Sequence, residues 1–481
     1  MKEEINKDNE KIQAADFTPE MLPMKIKWGL VNEAMAMAKA AGKWMLVFIV
    51  GTKPCFYKFY GSIQAAHNSG FPYIVINANQ HYDDILTAGI GEFNLADKIS
   101  IDLEIRGDLS QKAAELYLKF RWLSRTLKKD WPDVNVVPVV LGDTILAGII
   151  PSAWMLSVTN RSINLESGLR SMAPKASLML KEMTPEKYIY EQQNGGWQIM
   201  RNEPYPEQWD TFVSSAACEY HFAPIELNKQ HLLREGYPEK NIFVIGNPVM
   251  DAIHLKLKQK PVKSIFEVYP QLENGEWIRM DIHRKENLTP TRLKNIVEGV
   301  KKLVEKKQKV VFIQMAAMRD ALKAHGMENV FNVMMEKNKE NFLFTDLWPE
   351  YGHVTEFFNS EHCLAALTDS GGVQEDMNTM KKQTITCRFS TDRPETVMQS
   401  KGNVLAPPIS GDFLADSVMY AISNSELRKL AKTQKPLYGE NVGQKFISIA
   451  EKLVNEKKGT FSWTHEALGL WQEKDGSKRY L

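Results

Sequence analysis

The chain has 481 residues, and its 60 lysines and arginines nearly balance its 59 aspartates and glutamates, which leaves a formal net charge of +1 at pH 7. A chain of this length exceeds what one hydrophobic core supports, so we expect two domains. A net charge this small provides no field to hold nucleic acid or an anionic membrane, so neither is an expected partner. The four cysteines are far apart and lack metal-ligand spacing, which is typical of free thiols in the cytoplasm and predicts no metal site.

The first part of the chain alternates apolar runs of strand length with helical stretches. Residues 1–25 form a polar leader without the apolar segment of a signal peptide. Residues 44–50 are continuously apolar, which is typical of a strand buried on both faces, and residues 73–77 and 134–141 predict two further strands. The apolar run 145–158 is too short to span a bilayer and contains a proline, so we interpret it as a buried helix and expect no membrane association.

Polar clusters stand at the ends of these predicted strands, where doubly wound sheets bind ligands. They are the Gly-Thr-Lys-Pro turn at 51–54, the Gly-Asp-Thr turn at 142–144 and the run Glu-Ser-Gly-Leu-Arg at 166–170. Residues 171–204 then interrupt the alternation without clear periodicity, so we expect an inserted loop or small subdomain there. The alternation resumes at Pro206-Glu207, which begins a predicted helix.

The second half repeats this alternation, and one predicted strand, 364–368, leads into a tight turn and a helix. The turn is Ser-Gly-Gly at 370–372, and its glycines let the backbone approach a ligand closely. The unpaired N–H groups of the first helical turn then favour an anion. An acid one turn later, Glu375 or Asp376, could accept hydrogen bonds from ribose hydroxyls. The alternative interpretation is a serine N-cap followed by a glycine turn.

Strands separated by helices throughout imply an α/β fold in which two Rossmann-like parallel-sheet domains face a cleft. We place the N-terminal domain at 26–248, with residues 171–204 as its insertion, and the C-terminal domain at 249–439. An amphipathic helix within about 440–470 is expected to cross back and complete the first domain. The chain lacks a G-x-G-x-x-G after the first strand, a P-loop and a G-x-S-x-G elbow, which argues against an ordinary dehydrogenase, NTPase or α/β-hydrolase.

Taken in order, the polar clusters resemble the motifs of the non-hydrolysing UDP-N-acetylglucosamine 2-epimerase family, whose members have the two-domain glycosyltransferase-B (GT-B) fold. Clusters between about residues 44 and 455 match in the family's order, apart from the segment 171–204. They are Gly51-Thr52-Lys53-Pro54 with Lys58, Gln80-His81, Leu141-Gly142-Asp143-Thr144, Glu166 to Arg170, Pro206-Glu207, Gly246-Asn247-Pro248 with Asp251, His283 to Asn287, Thr368 to Asp376, and Asp392 to Glu395.

The resemblance implies a reaction in which UDP leaves C1 of the sugar as the C2 proton is removed, giving a 2-acetamidoglucal, and UDP then adds back. This chemistry needs no nicotinamide, and no cofactor is expected. By matching position, the resemblance assigns acid/base roles at C2 to Asp143, Glu166 and Glu207, and it assigns His283 to the leaving diphosphate. The other assignments are a phosphate cradle at Ser370, Gly371 and Gly372, a ribose contact at Asp376, and substrate or charge contacts at Lys53, Lys58, Arg170 and Arg393.

Each of these assignments has a structural alternative that the sequence leaves open. Helix capping, ion pairing and core packing employ the same residue types as catalysis and substrate binding. The alternatives are a helix N-cap for Asp143, a structural ion pair for Glu166 with Arg170, a mere helix start for Glu207, a core histidine for His283 and an ordinary solvated lysine for Lys58.

The chain departs from the family pattern near the expected sugar site. Lys53 stands where the family has arginine, Cys55 stands where it has glutamate, and Thr211 stands where a second arginine is expected. Lysine keeps the positive charge of arginine but loses its bidentate fork. Binding of a UDP-sugar is therefore better supported than the identity of the sugar.

The leading interpretation is a cytoplasmic UDP-sugar 2-epimerase, an isomerase that interconverts UDP-GlcNAc and UDP-ManNAc. The alternatives are a hydrolysing relative that releases UDP and free ManNAc, a GT-B glycosyltransferase whose acceptor site includes residues 171–204, and a UDP-sugar-binding protein without activity. The resemblance also implies a homodimer and an allosteric UDP-GlcNAc site.

Overall fold

A computed structural model describes residues 23–78, 92–158, 162–259, 261–348 and 350–454. The predicted leader before residue 23, the Gln80-His81 motif and the tail after residue 454 lie outside the described residues. The described chain divides into two units. The first contains the residues up to Gly168, Trp209–Asp251 and the residues from Asn441, and the second contains Leu169–Gln208 and Ala252–Glu440.

Strands and helices alternate along most of the described chain. The strands are β1 (Lys25–Ile26), β2 (Met45–Val50), β3 (Tyr73–Asn77), β4 (Ile99–Asp102), β5 (Val136–Val140), β6 (Ile163–Asn164), β7 (Met172–Pro174), β8 (Trp197–Ile199), β9 (Tyr220–Ala223), β10 (Ile242–Val244), β11 (Trp277–Asp281), β12 (Val310–Gln314), β13 (Phe342–Asp346), β14 (Cys363–Thr368), β15 (Gln383–Thr386) and β16 (Asn403–Leu405). The α-helices are α1 (Trp28–Ala41), α2 (Lys53–Ser69), α3 (Leu109–Asp130), α4 (Ile145–Val158), α5 (Pro185–Asn194), α6 (Glu207–Ala217), α7 (Glu226–Arg234), α8 (Val249–Lys258), α9 (Ile265–Val268), α10 (Pro290–Glu305), α11 (Ala316–Ala324), α12 (Val330–Lys337), α13 (Tyr351–Asn359), α14 (Gly371–Thr379), α15 (Glu395–Met398), α16 (Gly411–Ser423), α17 (Ser425–Thr433) and α18 (Val442–Val454).

The first unit is built on a sheet with the order β1-β4-β3-β2-β5-β6-β9-β10. Its neighbouring strands are parallel except for the short pair β1 and β4. β2 and β5 are buried at every residue, as their continuous apolar sequences predict. The strand order reverses between β2 and β5, so their carboxyl ends form the switch point at which doubly wound sheets bind ligands.

The apolar run 145–158 forms α4, as the sequence predicts. Most of its side chains are buried, including Trp154, and the helix packs against α3 in the core of the first unit. Within the residues that the structure describes, no helix combines the length and the apolar character needed to cross a membrane.

The second unit contains an all-parallel sheet with the order β13-β12-β11-β14-β15-β16. One face of this sheet carries the larger apolar core, to which α10 and α16 contribute, and the other face packs against aromatic residues around Trp348 and Phe357. The strand order reverses between β11 and β14. The carboxyl ends of these two strands therefore form the switch point of the second unit. The cluster His283 to Asn287 follows β11, and the Ser-Gly-Gly turn follows β14.

Residues 171–204 pack with the second unit, which corrects the prediction that they form an insertion of the N-terminal domain. They contain α5 and a two-stranded antiparallel sheet of β7 and β8. Tyr188 and Ile189 of α5 are buried in apolar clusters of the second unit. The Gln192 side chain donates to the Leu405 carbonyl at 3.1 Å and accepts the Leu405 N–H at 2.5 Å, which covers the edge strand β16. Residues 171–204 were assigned to the first domain because they lie between its elements in the sequence. Their apolar contacts are instead with the second unit, and these contacts determine where the segment packs.

The C-terminal helix α18 belongs to the first unit. The Asp251 carboxylate accepts the N–H groups of Val442 at 3.0 Å and Gly443 at 2.7 Å, so it caps the start of this helix. A Cβ on Gly443 would lie 2.2 Å from the Gly61 carbonyl carbon of α2. The two helices therefore meet with their backbones in contact, which only a glycine allows.

Candidate active site

Two of the predicted carboxylates stand side by side at the carboxyl end of the first unit's sheet. Asp143 follows β5 and Glu166 follows β6, and these strands are parallel neighbours. Gly142 has a φ of +60°, and a Cβ at this position would lie 2.3 Å from Glu166 Oε2. Glycine alone fits this position, so the Glu166 carboxylate lies directly against the backbone that precedes Asp143.

Asp143 is half-buried, and its carboxylate accepts no hydrogen bond from the part of the chain that the structure describes. The residue before α4 is Thr144, whose Oγ1 accepts the Ala147 N–H at 3.4 Å. Thr144 therefore caps the start of α4, and Asp143 is not the N-cap. Among the described residues, neither oxygen of Asp143 is occupied by a hydrogen-bond donor.

Glu166 is held rigidly by polar groups from several parts of the first unit. Lys58 donates to its two carboxylate oxygens at 2.6 and 2.7 Å, and Asn247 donates to Oε1 at 2.9 Å. The Glu166 N–H donates to Asn164 at 3.0 Å, and the Glu166 side chain is 1% exposed. Lys58 is thus a buried partner of a candidate catalytic carboxylate rather than a solvated lysine. A carboxylate fixed in this way is preorganised for one position on a substrate.

Lys53 and Cys55 occupy the positions at which the chain departs from the family pattern. Lys53 is the first residue of α2, and its Nζ lies 5.8 Å from the centre of the Tyr57 ring. Cys55 is buried, and burial raises the pKa of its thiol. Its thiol is therefore protonated and unreactive at neutral pH.

In the second unit, Asp369 organises the loop that carries His283. The buried Asp369 carboxylate accepts the N–H of His283 at 3.1 Å, the N–H of Arg284 at 3.0 Å and the Asn287 side chain at 3.0 Å. His283 Nδ1 lies 3.1 Å from Asp369 Oδ1, which is ion-pair distance without the alignment of a hydrogen bond. The His283 side chain is 30% exposed, so it is not a core histidine and its ring is accessible to a ligand.

The Ser-Gly-Gly turn forms a helix start that the serine side chain does not cap. Ser370 occupies the N-cap position of α14, but its hydroxyl accepts no N–H group of the first turn. A Cβ on Gly371 would lie 2.7 Å from Asp392 Oδ2, so packing requires this glycine. A Cβ on Gly372 would meet nothing among the described residues closer than Ser370 Oγ at 3.9 Å. The first turn therefore has uncapped N–H groups with open space beside them, as an anion site requires.

Arg284 joins two carboxylates of the second unit. Its guanidinium NH1 lies 2.6 Å from Glu207 Oε1, and its NH2 donates to Asp392 Oδ2 at 3.3 Å. Glu207 is the first residue of α6, but its side chain takes part in this ion pair, so it does more than begin a helix. Arg284 thereby connects a predicted acid/base residue to the neighbourhood of the Ser-Gly-Gly turn.

Asp392 is surrounded by three arginines. Arg388 NH1 donates to Oδ1 at 2.8 Å, while Arg284 and Arg393 approach Oδ2 at 3.3 and 3.6 Å. Burial alone would raise the pKa of Asp392, but the guanidinium groups of Arg388, Arg284 and Arg393 outweigh it and hold that pKa well below the usual range. Asp392 therefore stays ionised and fixes the arginines beside the turn.

The remaining predicted residues of the second unit are buried. Arg393 donates from Nε to Glu375 and from NH1 to the Asp392 carbonyl at 3.0 Å. Arg170 is fully buried, and its NH1 donates to the Leu169 carbonyl at 2.6 Å. Asp376 accepts the Tyr351 hydroxyl at 2.7 Å, and burial raises the pKa of this carboxyl to about 7.

The predicted site residues thus form two groups, one within each unit. No role was predicted for Asn247, Asp369, Arg284 or Arg388, each of which contacts a predicted residue or its neighbour. Asn247, Asp369 and Arg284 stand inside the family motifs quoted above, next to the assigned residues, and that adjacency is the signal that could have found them. Among the described residues, no group of three or more His, Cys, Asp or Glu side chains could hold a metal ion.

Known proteins share both the sequence pattern and the fold. A sequence model of the UDP-N-acetylglucosamine 2-epimerase family matches residues 195–451, which is just over half of the chain. The UDP-N-acetylglucosamine 2-epimerase of Methanocaldococcus jannaschii is 30% identical over 363 residues, which cover 73% of this chain and 86% of the relative. The corresponding enzyme of Methanococcus maripaludis is 24% identical over 364 residues, which cover 74% of this chain and 86% of that relative.

Solved structures agree with this match. The structure of the M. jannaschii UDP-GlcNAc 2-epimerase in complex with UDP-GlcNAc and UDP has a TM-score of 0.66 at 25% identity, and the match covers 85% of this chain and 99% of that chain. The Neisseria meningitidis UDP-GlcNAc 2-epimerase bound to UDP-GlcNAc has a TM-score of 0.68 at 21% identity, with 86% and 100% covered, and shows the same fold. The predicted α/β fold with two parallel-sheet domains of the GT-B type is confirmed. The chain belongs to the UDP-N-acetylglucosamine 2-epimerase family of isomerases.

Proposed function

We propose that this protein interconverts UDP-GlcNAc and UDP-ManNAc, with elimination of UDP and its re-addition through a 2-acetamidoglucal. The observation that carries the proposal is the pair of carboxylates at the carboxyl ends of the neighbouring strands β5 and β6, Asp143 beside the rigidly held Glu166. Epimerisation at C2 removes a proton from one face of the sugar and returns it to the other. Two carboxylates that differ in environment suit this task, because one can accept a proton while the other donates one.

The two carboxylates differ in how firmly they are held. Glu166 is fixed by Lys58 and Asn247, which leaves it little freedom to move with a substrate. Asp143 accepts no hydrogen bond within the described residues and can engage a sugar hydroxyl or the C2 proton directly. Glu207 is a third candidate, and its role depends on its release from Arg284.

In this proposal, groups of the second unit stabilise the departing diphosphate. Negative charge develops on the leaving oxygen as the C1–O bond breaks, and uncapped N–H groups at a helix start stabilise such charge. The first turn of α14, at Ser370, Gly371 and Gly372, provides those groups. His283, whose ring is accessible and positioned by Asp369, is the proposed donor to the diphosphate.

The remaining predicted residues take supporting roles in this proposal. Asp376 lies within the same helix, α14, and is the proposed ribose contact. Arg393 keeps Glu375 and Asp392 in place beside the helix start, and Lys53 supplies positive charge at the end of β2. No residue in this scheme requires a cofactor.

The test is proton NMR of the purified protein with UDP-GlcNAc in D₂O. Deuterium at C2 together with signals of UDP-ManNAc is the expected result, because both transfer steps exchange the C2 proton with solvent. Release of free UDP and ManNAc would instead identify a hydrolysing enzyme. UDP-GlcNAc that stays unchanged, without exchange, would contradict the proposal for this substrate, and release of UDP only with an added acceptor would identify a glycosyltransferase.

A further inference from the structure

Arg284 forms an ion pair with Glu207 through NH1, whereas its NH2 contacts Asp392. The distance from NH1 to Glu207 Oε1 is 2.6 Å, and the Arg284 side chain is 11% exposed. Glu207 has no other polar partner among the described residues. A predicted acid/base residue is thus engaged by an arginine.

The guanidinium of Arg284 lies at the proposed diphosphate site. Its NH2 lies 3.3 Å from Asp392 Oδ2. The same oxygen lies 2.7 Å from the position that a Cβ on Gly371 would occupy, so Arg284 and the Ser-Gly-Gly turn are close together. Its backbone N–H donates to Asp369, the residue directly before the Ser-Gly-Gly turn. A planar guanidinium next to uncapped helix N–H groups matches the geometry with which proteins bind phosphate groups.

The two carboxylates on Arg284 differ in how easily they can leave it. Asp392 is 8% exposed and is also held by Arg388 and Arg393, so three guanidinium groups fix it. Glu207 is 28% exposed and is held by Arg284. An incoming anion that competes for Arg284 will therefore displace Glu207 and leave Asp392 in place.

We propose that the diphosphate of the substrate replaces Glu207 on Arg284 and so releases Glu207 as a free carboxylate when the substrate binds. Arg284 is then a substrate-binding residue that also positions Glu207, because it holds this carboxylate until the diphosphate takes its place. The proposal rests on the proposed function, because it takes a UDP-sugar as the ligand. It adds that binding of the diphosphate and release of the carboxylate are one coupled event.

The test is calorimetric titration of the full-length protein and its variants with UDP. Removing the competing carboxylate in Glu207→Gln is expected to tighten UDP binding by about threefold or more, the scale of a partly exposed ion pair. In an Arg284→Gln background, where nothing is left to exchange, Glu207→Gln is expected to leave UDP affinity unchanged. A residue with a merely structural role would weaken UDP binding or leave it unaltered.

Glu286→Gln is the matched control, because Glu286 is a neighbouring carboxylate that lies 3.6 Å from Arg388 rather than on Arg284. An equal gain in Glu286→Gln would show a general charge effect and overturn the exchange, as would an unchanged affinity in Glu207→Gln. If Arg284→Gln does not fold, Arg284→Lys replaces it, since lysine lacks the fork needed to hold both carboxylates. Absence of UDP binding to the unmodified protein would contradict the proposed function as well, so the two failures are distinguishable.

Discussion

Two buried carboxyl groups of the second unit, Asp376 and Glu395, each accept a hydrogen bond from a tyrosine hydroxyl. Tyr351 donates to Asp376 at 2.7 Å, and Tyr438 donates to Glu395 at 2.6 Å. Burial raises the pKa of each carboxyl to about 7, against ordinary values of 3.8 and 4.5. Each group therefore keeps its proton in the folded chain at a pH where the unfolded chain has lost it.

This difference predicts that the free energy of unfolding falls as pH rises from about 4 to about 7 and then levels off. In this window the folded state binds more protons, and each group contributes a slope of about 1.4 kcal/mol per pH unit. Asp376→Asn keeps the acceptor for Tyr351 but cannot ionise, so its stability relative to the unmodified protein is expected to rise between pH 5 and pH 8. Urea unfolding at both pH values measures this difference.

The control for this prediction is Asp346→Asn, which removes a carboxylate that is 80% exposed. Its stability relative to the unmodified protein is expected to be similar at pH 5 and pH 8. A stability difference for Asp376→Asn that is equal at the two pH values would show that Asp376 does not hold its proton in the folded state.

At the level of single residues, the sequence predicted which carboxylates stand at strand ends but not what holds them. Asp143 follows the apolar run 134–141, so its placement at the carboxyl end of a strand was predictable, whereas Glu166 follows the short segment 162–165, in which apolar and polar residues alternate. The contacts of Glu166 come from Lys58, 108 positions away, and from Asn247, 81 positions away. Pairing over such separations depends on how strands are ordered in the sheet, which residue types alone do not reveal.

Among single elements, the start of α14 gives the sharpest prediction. Gly372→Ala adds a methyl group where the described residues leave open space, so the protein is expected to fold with an unchanged melting temperature. The same methyl group would occupy room beside the uncapped N–H groups, so UDP affinity is expected to fall about tenfold or more. Thermal unfolding and calorimetric titration with UDP measure the two effects.

Gly371→Ala is the matched variant one position earlier. Its Cβ would lie 2.7 Å from Asp392 Oδ2, so it is expected to destabilise the protein by about 1–3 kcal/mol. A Gly372→Ala variant that binds UDP as tightly as the unmodified protein would show that the diphosphate does not occupy the first turn of α14.

Elements differ in how well the sequence predicted them. The long apolar strands and α4 were predicted because their apolar patterns are continuous. The strands β1 and β4 were missed because two and four residues are too few to show the alternation of apolar and polar side chains that marks a strand. The segment 171–204 lacked a pattern for another reason. Part of its contact with the second unit is polar, such as the Gln192 amide on the backbone of Leu405, and such contacts leave no hydrophobic period.

For the whole molecule, the helix α18 makes the stability of the first unit depend on residues from the end of the chain. Gly443→Ala would bring a Cβ to 2.2 Å from the Gly61 carbonyl carbon, so it is expected to push α18 away from α2 and destabilise the first unit by about 1–3 kcal/mol or more. Hydrogen exchange measured by mass spectrometry is expected to quicken in β2 and β5 and to stay unchanged in β11 and β14.

The control is Gly29→Ala, since a Cβ at that position would meet nothing within 4 Å among the described residues. It is expected to leave exchange unchanged in both units. Equal loss of protection in the sheets of both units of the Gly443→Ala protein would show that the effect of α18 is not confined to the first unit.

The division into two parallel-sheet domains followed from chain length and from the alternation of strands and helices, and the structure confirms it. The membership of residues 169–208 in the second unit did not follow, because a sequence gives the order of segments and not the core that each one joins. The helix α18 was predictable because its sequence is amphipathic, with an apolar face that includes Phe446 and Ile447.

The crossing of α18 also sets the order in which the two units can be finished during translation. The residues of the second unit end at Glu440, whereas the first unit still lacks α18 at that point, although its earliest strands left the ribosome long before. A nascent chain therefore exposes the α2 surface around Gly61 until α18 has been made. Of the two units, the one whose synthesis begins earlier is thus completed later, and its apolar surface is exposed for longer during synthesis.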